Sequence, residues 1–136
     1  MSDKLDVVGI GNAMVDAIIP SNQSEIEKHE INRDSMNLID ENLKNNLHES
    51  YSIREMAGGG SLGNSMFGIT SFGGNGSFIG KIKNDEIGVY LQKDMIREGL
   101  KFPLGFTSPD ISTGCCTIFV EEDGTRTMCT FLAVSY

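Results

Sequence analysis

The chain is short of the residues that several protein classes require. Its 136 residues include no tryptophan, three prolines and three cysteines. Cys115, Cys116 and Cys129 are odd in number and lack the Cys-x-x-Cys spacing, so the sequence predicts neither a disulfide framework nor a metal site. The N-terminus has no basic, apolar leader. Together these absences favour a reducing, cytoplasmic location.

Positive charge is also scarce. Eleven Lys and Arg residues stand against nineteen Asp and Glu, which gives a formal net charge of −8. Nucleic-acid binding needs a basic patch that displaces counterions from phosphates, and the basic residues here do not cluster, so we expect no nucleic-acid partner. No apolar run approaches the roughly 20 residues that cross a bilayer, so we expect no membrane partner. The length suits one domain or part of one.

Glycine, in contrast, is abundant, with sixteen residues concentrated in short clusters between apolar segments. Apolar runs and turn residues predict five strands. The predicted strands cover 5–10, 16–19, 77–82, 116–120 and 125–132, the last two joined by a turn at 123–124. The polar segment 21–55 looks peripheral. Strands that alternate with helices predict an α/β sheet with some antiparallel pairing at an edge.

Three helices are predicted from capping residues and apolar spacing. One begins at Asp40 and one at Asp85, since aspartate side chains cap helix N-termini. The third follows the glycine-rich segment 57–64. Its apolar residues Met66, Ile69 and Phe72 predict one buried face.

Two phosphate-binding motifs are absent. After Gly9 and Gly11, the third glycine of a dinucleotide-binding turn would fall at Met14, where a small residue is needed. The pair Gly80-Lys81 lacks the upstream glycine of a Walker loop.

Asp16 and the glycine segment are the first candidate site residues. Asp16 follows a buried strand, and its carboxylate suits either an exposed strand edge or hydrogen bonds from a sugar diol. Gly59 and Gly60 precede a helix, where glycine lets the backbone approach a ligand and leaves N–H groups free for hydroxyls. The same segment also fits a plain flexible turn. Asn64 would add a donor and an acceptor at the helix start.

The last two predicted strands carry the second group of candidates. Met128, Thr130 and Leu132 share one strand face by two-residue alternation, and Cys116 lies on the neighbouring strand. Core packing is the ordinary reading of such a stripe, and the wall of a nucleobase or sugar pocket is the alternative.

The order of these landmarks resembles the amino-terminal part of the ribokinase-like (PfkB) carbohydrate kinase family. The resemblance rests on the segments 11–16, 59–64 and 79–88, and it covers essentially the whole chain. The segments 115–120 and 126–128 are similar to the adenosine-kinase-like, nucleoside-kinase-like branch. The fold it implies is a doubly wound α/β sheet with a small β lid, truncated before its C-terminal half. Residues 1–136 would form the N-terminal part of one domain, with lid segments around 16–55 and 115–132.

The resemblance also implies a reaction, namely ATP-dependent phosphorylation of a primary hydroxyl of a ribonucleoside, adenosine-like, or of a sugar. By position, Asp16, Gly59, Gly60 and Asn64 resemble residues that hold sugar hydroxyls. Cys116, Met128, Thr130 and Leu132 are similar to the family residues that line the pocket for the substrate base. ATP and Mg²⁺ are implied as cofactors, with their binding residues mostly outside these 136.

Two departures from the family pattern limit these expectations. Leu62 and Met66 are bulkier than the residues usual near the glycine loop, which leaves the substrate open. The late Gly-Ala-Gly-Asp-like loop of the family, whose aspartate is the catalytic base, is absent from the sequence. We therefore expect no catalytic residue here, an inactive isolated chain, and self-association through an exposed sheet edge or the lid. A stand-alone nucleoside- or sugar-binding module and a non-functional truncated gene product are the alternatives.

Overall fold

The computed structural model describes residues 4–133, which form seven strands and four helices. The strands are β1 (Val7–Ile10), β2 (Met14–Pro20), β3 (Met36–Leu38), β4 (Glu55–Gly59), β5 (Gly76–Ile79), β6 (Gly114–Val120) and β7 (Arg126–Phe131). The helices are α1 (Gln23–Glu27), α2 (Glu41–Ser50), α3 (Ser61–Ser71) and α4 (Glu86–Arg97).

The strands form two sheets. Strands β1 and β5 pair in parallel in a two-stranded sheet. The other five form a mixed sheet of order β3-β7-β6-β2-β4, in which β2 pairs in parallel with β6 and antiparallel with β4. Strands β6 and β7 form the predicted hairpin. The prediction of an α/β fold with antiparallel pairing is confirmed.

The apolar residues lie in two clusters on one face of the five-stranded sheet. In β2, Val15, Ala17 and Ile19 point to this face and are at most 1% exposed. The larger cluster joins Val15 and Ala17 to α3, α4 and Phe78 of β5, whereas Ile19 belongs to the smaller cluster. The smaller one lies under α1 and α2, around Phe119. Side chains along β2 point alternately to the two faces of the sheet, so Asp16 and the other even-numbered residues of β2 point to the opposite face.

The predicted helix starts are confirmed at both aspartates. The Asp40 carboxylate accepts the Leu43 N–H at 2.8 Å, and the Asp85 carboxylate accepts the Gly88 N–H at 2.7 Å. Helix α4 is followed by Gly99, whose φ of +90° suits glycine at a helix C-terminus.

Four predictions need correction. Phe72 is not on the buried face of α3, because the helix ends at Ser71 and the Phe72 side chain is 93% exposed. The strand predicted over 77–82 ends at Ile79, and the strand predicted over 125–132 ends at Phe131. The segment 21–55 is not peripheral, because it supplies β3 and two helices whose residues Ile26 and Leu47 are fully buried against the sheet.

Between residues 4 and 133, no helix is long and apolar enough to cross a membrane. Four strands of the five-stranded sheet, β2, β3, β6 and β7, fall largely in the two segments predicted as the lid, whereas β4 follows the first of these segments in the chain. That these segments form a distinct, movable part of the domain stays a prediction.

Candidate functional site

A cavity of about 660 Å³ opens where β1 and β2 meet the N-terminus of α3. This volume lies within the range of small-molecule pockets. Five of the predicted site residues line it, and the rest of the wall comes from the β1–β2 turn, β3 and the first residues of α3. The lining residues are Ile10, Gly11, Asn12, Met14, Asp16, Met36, Gly60, Ser61, Leu62, Cys116, Thr130 and Leu132.

Sheet register brings three predicted residues into one row of the cavity wall. Asp16 pairs with Cys116 across β2 and β6, and Cys116 pairs with Thr130 across β6 and β7. Paired residues point to the same face of a sheet. The Thr130 hydroxyl donates to the Cys116 Sγ at 3.4 Å. These residues are far apart along the chain, so the pairing of strands creates the site.

The carboxylate of Asp16 is without a hydrogen-bond or ion-pair partner in the described part of the chain. It is half-buried, and no residue among 4–133 donates a hydrogen bond to it or forms an ion pair with it. Burial raises the pKa of Asp16 above 3.8, because the charged form loses hydration that nothing replaces. A half-buried acceptor of this kind is suited to a ligand that brings its own donors.

Gly59 contacts this carboxylate, and Gly60 lines the same cavity. Gly59 lies against it so closely that a Cβ there would fall 2.5 Å from the Asp16 Cγ. Gly60 has a φ of +79° and precedes α3 without a side-chain cap. The first N–H groups of α3 are therefore free of a side-chain acceptor beside the cavity.

Three predicted residues do not line the cavity. Gly59 lies behind the Asp16 carboxylate, and Asn64 is exposed on the first turn of α3. Met128 pairs with Met36 on the cavity face of the sheet, two residues along β7 from Thr130.

Leu132, in contrast, does line the cavity, from just beyond the end of β7.

The two bulky residues near the glycine loop have different positions. Leu62 lines the cavity and packs over two glycines of β1 and its turn, since a Cβ at Gly11 would meet the Leu62 Cδ2 at 2.7 Å. Met66 is 1% exposed and belongs to the core. Only Leu62 can therefore shape the cavity directly.

The adjacent thiols of Cys115 and Cys116 are both buried. Burial raises the pKa of Cys116 and raises that of Cys115 to about 12. A thiolate is the nucleophilic form of cysteine, so neither thiol is activated for attack. Among residues 4–133, no group of three or more His, Cys, Asp or Glu is placed to hold a metal ion.

A larger cavity, of about 780 Å³, lies between α2 and α4. It is on the opposite face of the five-stranded sheet, because its residue His48 bonds the Thr117 hydroxyl at 2.8 Å and Thr117 points away from Cys116. None of the predicted site residues reaches it. We therefore take the cavity around Asp16 as the candidate site.

The family follows from a match along almost the whole chain. Residues 4–135 match the profile of the pfkB family carbohydrate kinases. The chain belongs to this family. The resemblance stated from the sequence is thereby confirmed, as is the ribokinase-like α/β fold. No curated protein sequence matches the chain.

Several solved kinase structures are similar to this PfkB chain. A probable sugar kinase from Rhizobium etli is 32% identical, with a TM-score of 0.79 over 95% of this chain and 39% of its own. Adenosine kinase from Sinorhizobium meliloti is 36% identical, with a TM-score of 0.79 over 97% of this chain and 40% of its own. Adenosine kinase from Anopheles gambiae, solved with P1,P4-di(adenosine-5) tetraphosphate, shares the fold at 24% identity and a TM-score of 0.78. The PfkB chain thus spans about 40% of the first two structures' length.

Proposed function

We propose that this PfkB chain is the acceptor-binding part of an ATP-dependent kinase. The kinase would phosphorylate a primary hydroxyl of a ribonucleoside, with adenosine as the first candidate, or of a sugar. Asp16 carries the proposal. Its half-buried carboxylate has two acceptor oxygens and no donor among residues 4–133. The two hydroxyls of a ribose diol would supply donors to both oxygens and compensate the lost hydration.

The remaining predicted residues divide between the two ends of a nucleoside. Gly60 and the uncapped start of α3 offer N–H donors to sugar oxygens, and Asn64 on the first turn of α3 adds an amide. Cys116, Thr130 and Leu132 form the less polar wall on which a base would lie, with Met128 beside them. Gly59 acts indirectly, since it gives the Asp16 carboxylate room.

The described residues do not fit ATP or Mg²⁺. No cluster of metal-ligating side chains is placed among residues 4–133, and the sequence has no Gly-x-Gly-Asp segment. In kinases ATP supplies the phosphoryl group and Mg²⁺ neutralises its charge. We infer that other residues hold both and supply the catalytic base, so these 136 residues bind and orient the acceptor but do not transfer phosphate. The five-stranded sheet would act as a lid that excludes water.

Calorimetric titration of the 136-residue chain with adenosine tests the proposal. We expect saturable binding that is weakened roughly tenfold to a hundredfold in Asp16→Asn, since hydrogen bonds to charged groups contribute about 1.5–3 kcal/mol. Glu122→Gln removes an exposed carboxylate in the β6–β7 turn and is the matched control. The absence of binding at millimolar adenosine, or equal binding by the wild type and Asp16→Asn, contradicts the proposal.

Two further measurements separate the remaining alternatives. Phosphorylation of adenosine by the purified chain with ATP would overturn its proposed inactivity, and binding without any associated kinase would favour a stand-alone module. The source DNA after the Tyr136 codon separates a fragment from a decayed gene, since only a fragment continues in frame into a Gly-Ala-Gly-Asp loop.

Self-association and the location stay predictions. Met36 and Leu38 of the edge strand β3 are 56% and 67% exposed, which supports association through the proposed lid. Sedimentation of the chain across concentrations tests it. A cytoplasmic location and the lack of nucleic-acid and membrane partners are proposed from composition and charge.

A further inference from the structure

We propose that Asp94 of α4 is a positioning residue that fixes the glycine backbone beneath Asp16. This inference rests on the proposed function of Asp16 as the ligand-binding carboxylate. Asp94 does not line the candidate site. It would act through the backbone of Gly58 and Gly59.

Asp94 is a buried carboxylate near the C-terminal end of α4, a helix that packs against the sheet. Its side chain is 9% exposed, and its Oδ2 accepts the Gly58 N–H at 3.1 Å. The Arg97 guanidinium donates to the other oxygen, Oδ1. A buried carboxylate costs free energy unless its oxygens are bonded, so an apolar residue would serve mere packing better here. The bond to Gly58 therefore indicates that this carboxylate has a specific structural role.

The role of Asp94 follows from the position of β4 at the edge of the five-stranded sheet. No further strand within residues 4–133 pairs with its outer edge. Helix α4 supplies that edge with two side-chain bonds, one turn apart: the Tyr90 hydroxyl donates to the Met56 carbonyl at 2.6 Å, and Asp94 accepts from Gly58. The two side chains thus do what a neighbouring strand would do.

Gly58 is glycine because two helices meet it. A Cβ there would fall 2.7 Å from the ring of Phe67 on α3 and 2.8 Å from the Asp94 Oδ2. The bond from Asp94 therefore needs this glycine, and it pulls the backbone against α4.

The next two residues belong to the candidate site. Gly59 abuts the Asp16 carboxylate, and Gly60 turns the chain into α3. Successive Cα atoms are 3.8 Å apart, so a shift at Gly58 is passed on to both. Loss of the Asp94 bond should move Gly59 away from Asp16, expose its carboxylate to water and misplace the first N–H groups of α3.

Paired substitutions of Asp94 test the inference. Asn and Ala both remove the negative charge, but only Asn keeps an oxygen that can accept the Gly58 N–H. Two readouts are needed: the titration of the Asp16 carboxyl carbon by NMR, which needs no ligand, and the dissociation constant of adenosine. Arg97→Gln is the control, since it removes the guanidinium that bonds the other oxygen of Asp94 and leaves the bond to Gly58 in place.

In Asp94→Ala we expect the Asp16 pKa to fall toward 3.8 and adenosine binding to weaken roughly tenfold to a hundredfold, since small displacements of binding groups have large effects. In Asp94→Asn and Arg97→Gln we expect both readouts to stay close to those of the wild type. Equal behaviour of Asn and Ala overturns the inference. If no variant or wild type binds adenosine while the Asp16 titration still separates Ala from Asn, the positioning role stands and the proposed function fails.

A measurement on the wild type covers the case in which Asp94→Ala does not fold. Amide hydrogen exchange reports on the Gly58 N–H, which points to the open edge of β4 and, among residues 4–133, is bonded there by Asp94 alone. Slow exchange supports the bond. Exchange at the rate of an unstructured peptide overturns it.

Discussion

Gly59 and Asp16 lie in direct contact across β4 and β2. A side chain at Gly59 would occupy the position of the carboxylate, because a Cβ there would fall 2.6 Å from the Asp16 Oδ2. The absence of a side chain at Gly59 therefore leaves the space that the Asp16 carboxylate occupies.

Gly59→Ala tests this contact. We expect the free energy of unfolding to fall by about 1–3 kcal/mol, as for other overpacked sites. Adenosine binding should be lost with it, because the carboxylate has to move. Gly68→Ala is the control, since a Cβ at Gly68 in α3 meets nothing within 4 Å. Alanine there should stabilise the helix by about 0.5–1 kcal/mol. Chemical denaturation of both variants measures the difference, and equal effects of the two would contradict the contact.

Asp16→Asn should stabilise the protein at neutral pH while it weakens binding. Burial holds the pKa of Asp16 above 3.8, so the native state keeps the proton to a higher pH than the unfolded chain does. The protonated carboxyl contributes stability that is fully present below pH 3.8 and is lost as pH rises through the native pKa. Asparagine does not titrate, so its advantage should be largest above the native pKa and vanish below 3.8. Denaturant melts at pH 4 and pH 7 check this, and a variant less stable than the wild type at pH 7 would contradict it.

The affinity for adenosine should follow the same titration with the opposite sign. The charged carboxylate is the better acceptor, so acidification through the native pKa of Asp16 should weaken binding. The loss should be absent in Asp16→Asn. A pH-independent affinity in the wild type would place the ligand away from this carboxylate.

His48 should make the protein less stable in mild acid. Burial, and to a smaller extent the charge of Lys44, lower the pKa of His48 below 6.5, although Glu86 opposes them. The unfolded chain then binds more protons than the native state, so stability falls as pH falls from 6.5 to the native pKa. His48→Gln should remove this part of the pH dependence while it keeps a polar contact to Thr117. Urea melts of both proteins between pH 5 and 7.5 measure it, and identical slopes would refute the assignment.

Asp85 should contribute more than an ordinary helix cap. Its Oδ1 accepts the Gly88 N–H at 2.7 Å, and its Oδ2 accepts the Thr113 N–H at 3.0 Å, directly before β6. We expect Asp85→Ala to cost about 2 kcal/mol or more, compared with about 1 kcal/mol for Asp40→Ala, which loses only a cap. Thermal unfolding of the two variants compares them. Equal losses would mean that the bond to Thr113 contributes nothing.

The local features of this fold were predictable because they depend on neighbours in sequence. The caps at Asp40 and Asp85 and the turn of the β6–β7 hairpin follow from such short-range chemistry. The prediction for Phe72 was wrong because it, too, used only the spacing of neighbouring residues. Helical spacing continued to it, but the backbone ends α3 one residue earlier and turns through Gly73 at a φ of +86°.

The candidate site was predictable only in part because strand pairing builds it. Asp16, Gly60, Cys116 and Thr130 were singled out from the sequence and do meet in one cavity. Met36 was missed, since its strand has only three residues and lies in a polar segment. Ile10, Gly11, Asn12, Met14 and Ser61 also line the cavity without having been predicted as site residues.

The contact between Asp94 and Gly58 illustrates the limit most clearly. The two residues are 36 positions apart, and an aspartate in a helix carries no sequence signal that its partner is a backbone N–H. Only the packing of α4 against the edge of β4 reveals it.

The most direct test of the account is an NMR titration of the 136-residue chain with adenosine, followed at the Asp16 carboxyl carbon. The account predicts saturable shifts at Asp16, Gly60, Cys116 and Thr130, together with a fall in the Asp16 pKa when adenosine is bound, because donated hydrogen bonds favour the charged form. Unchanged signals at Asp16 at saturating adenosine, or saturable shifts confined to the cavity between α2 and α4, would contradict it.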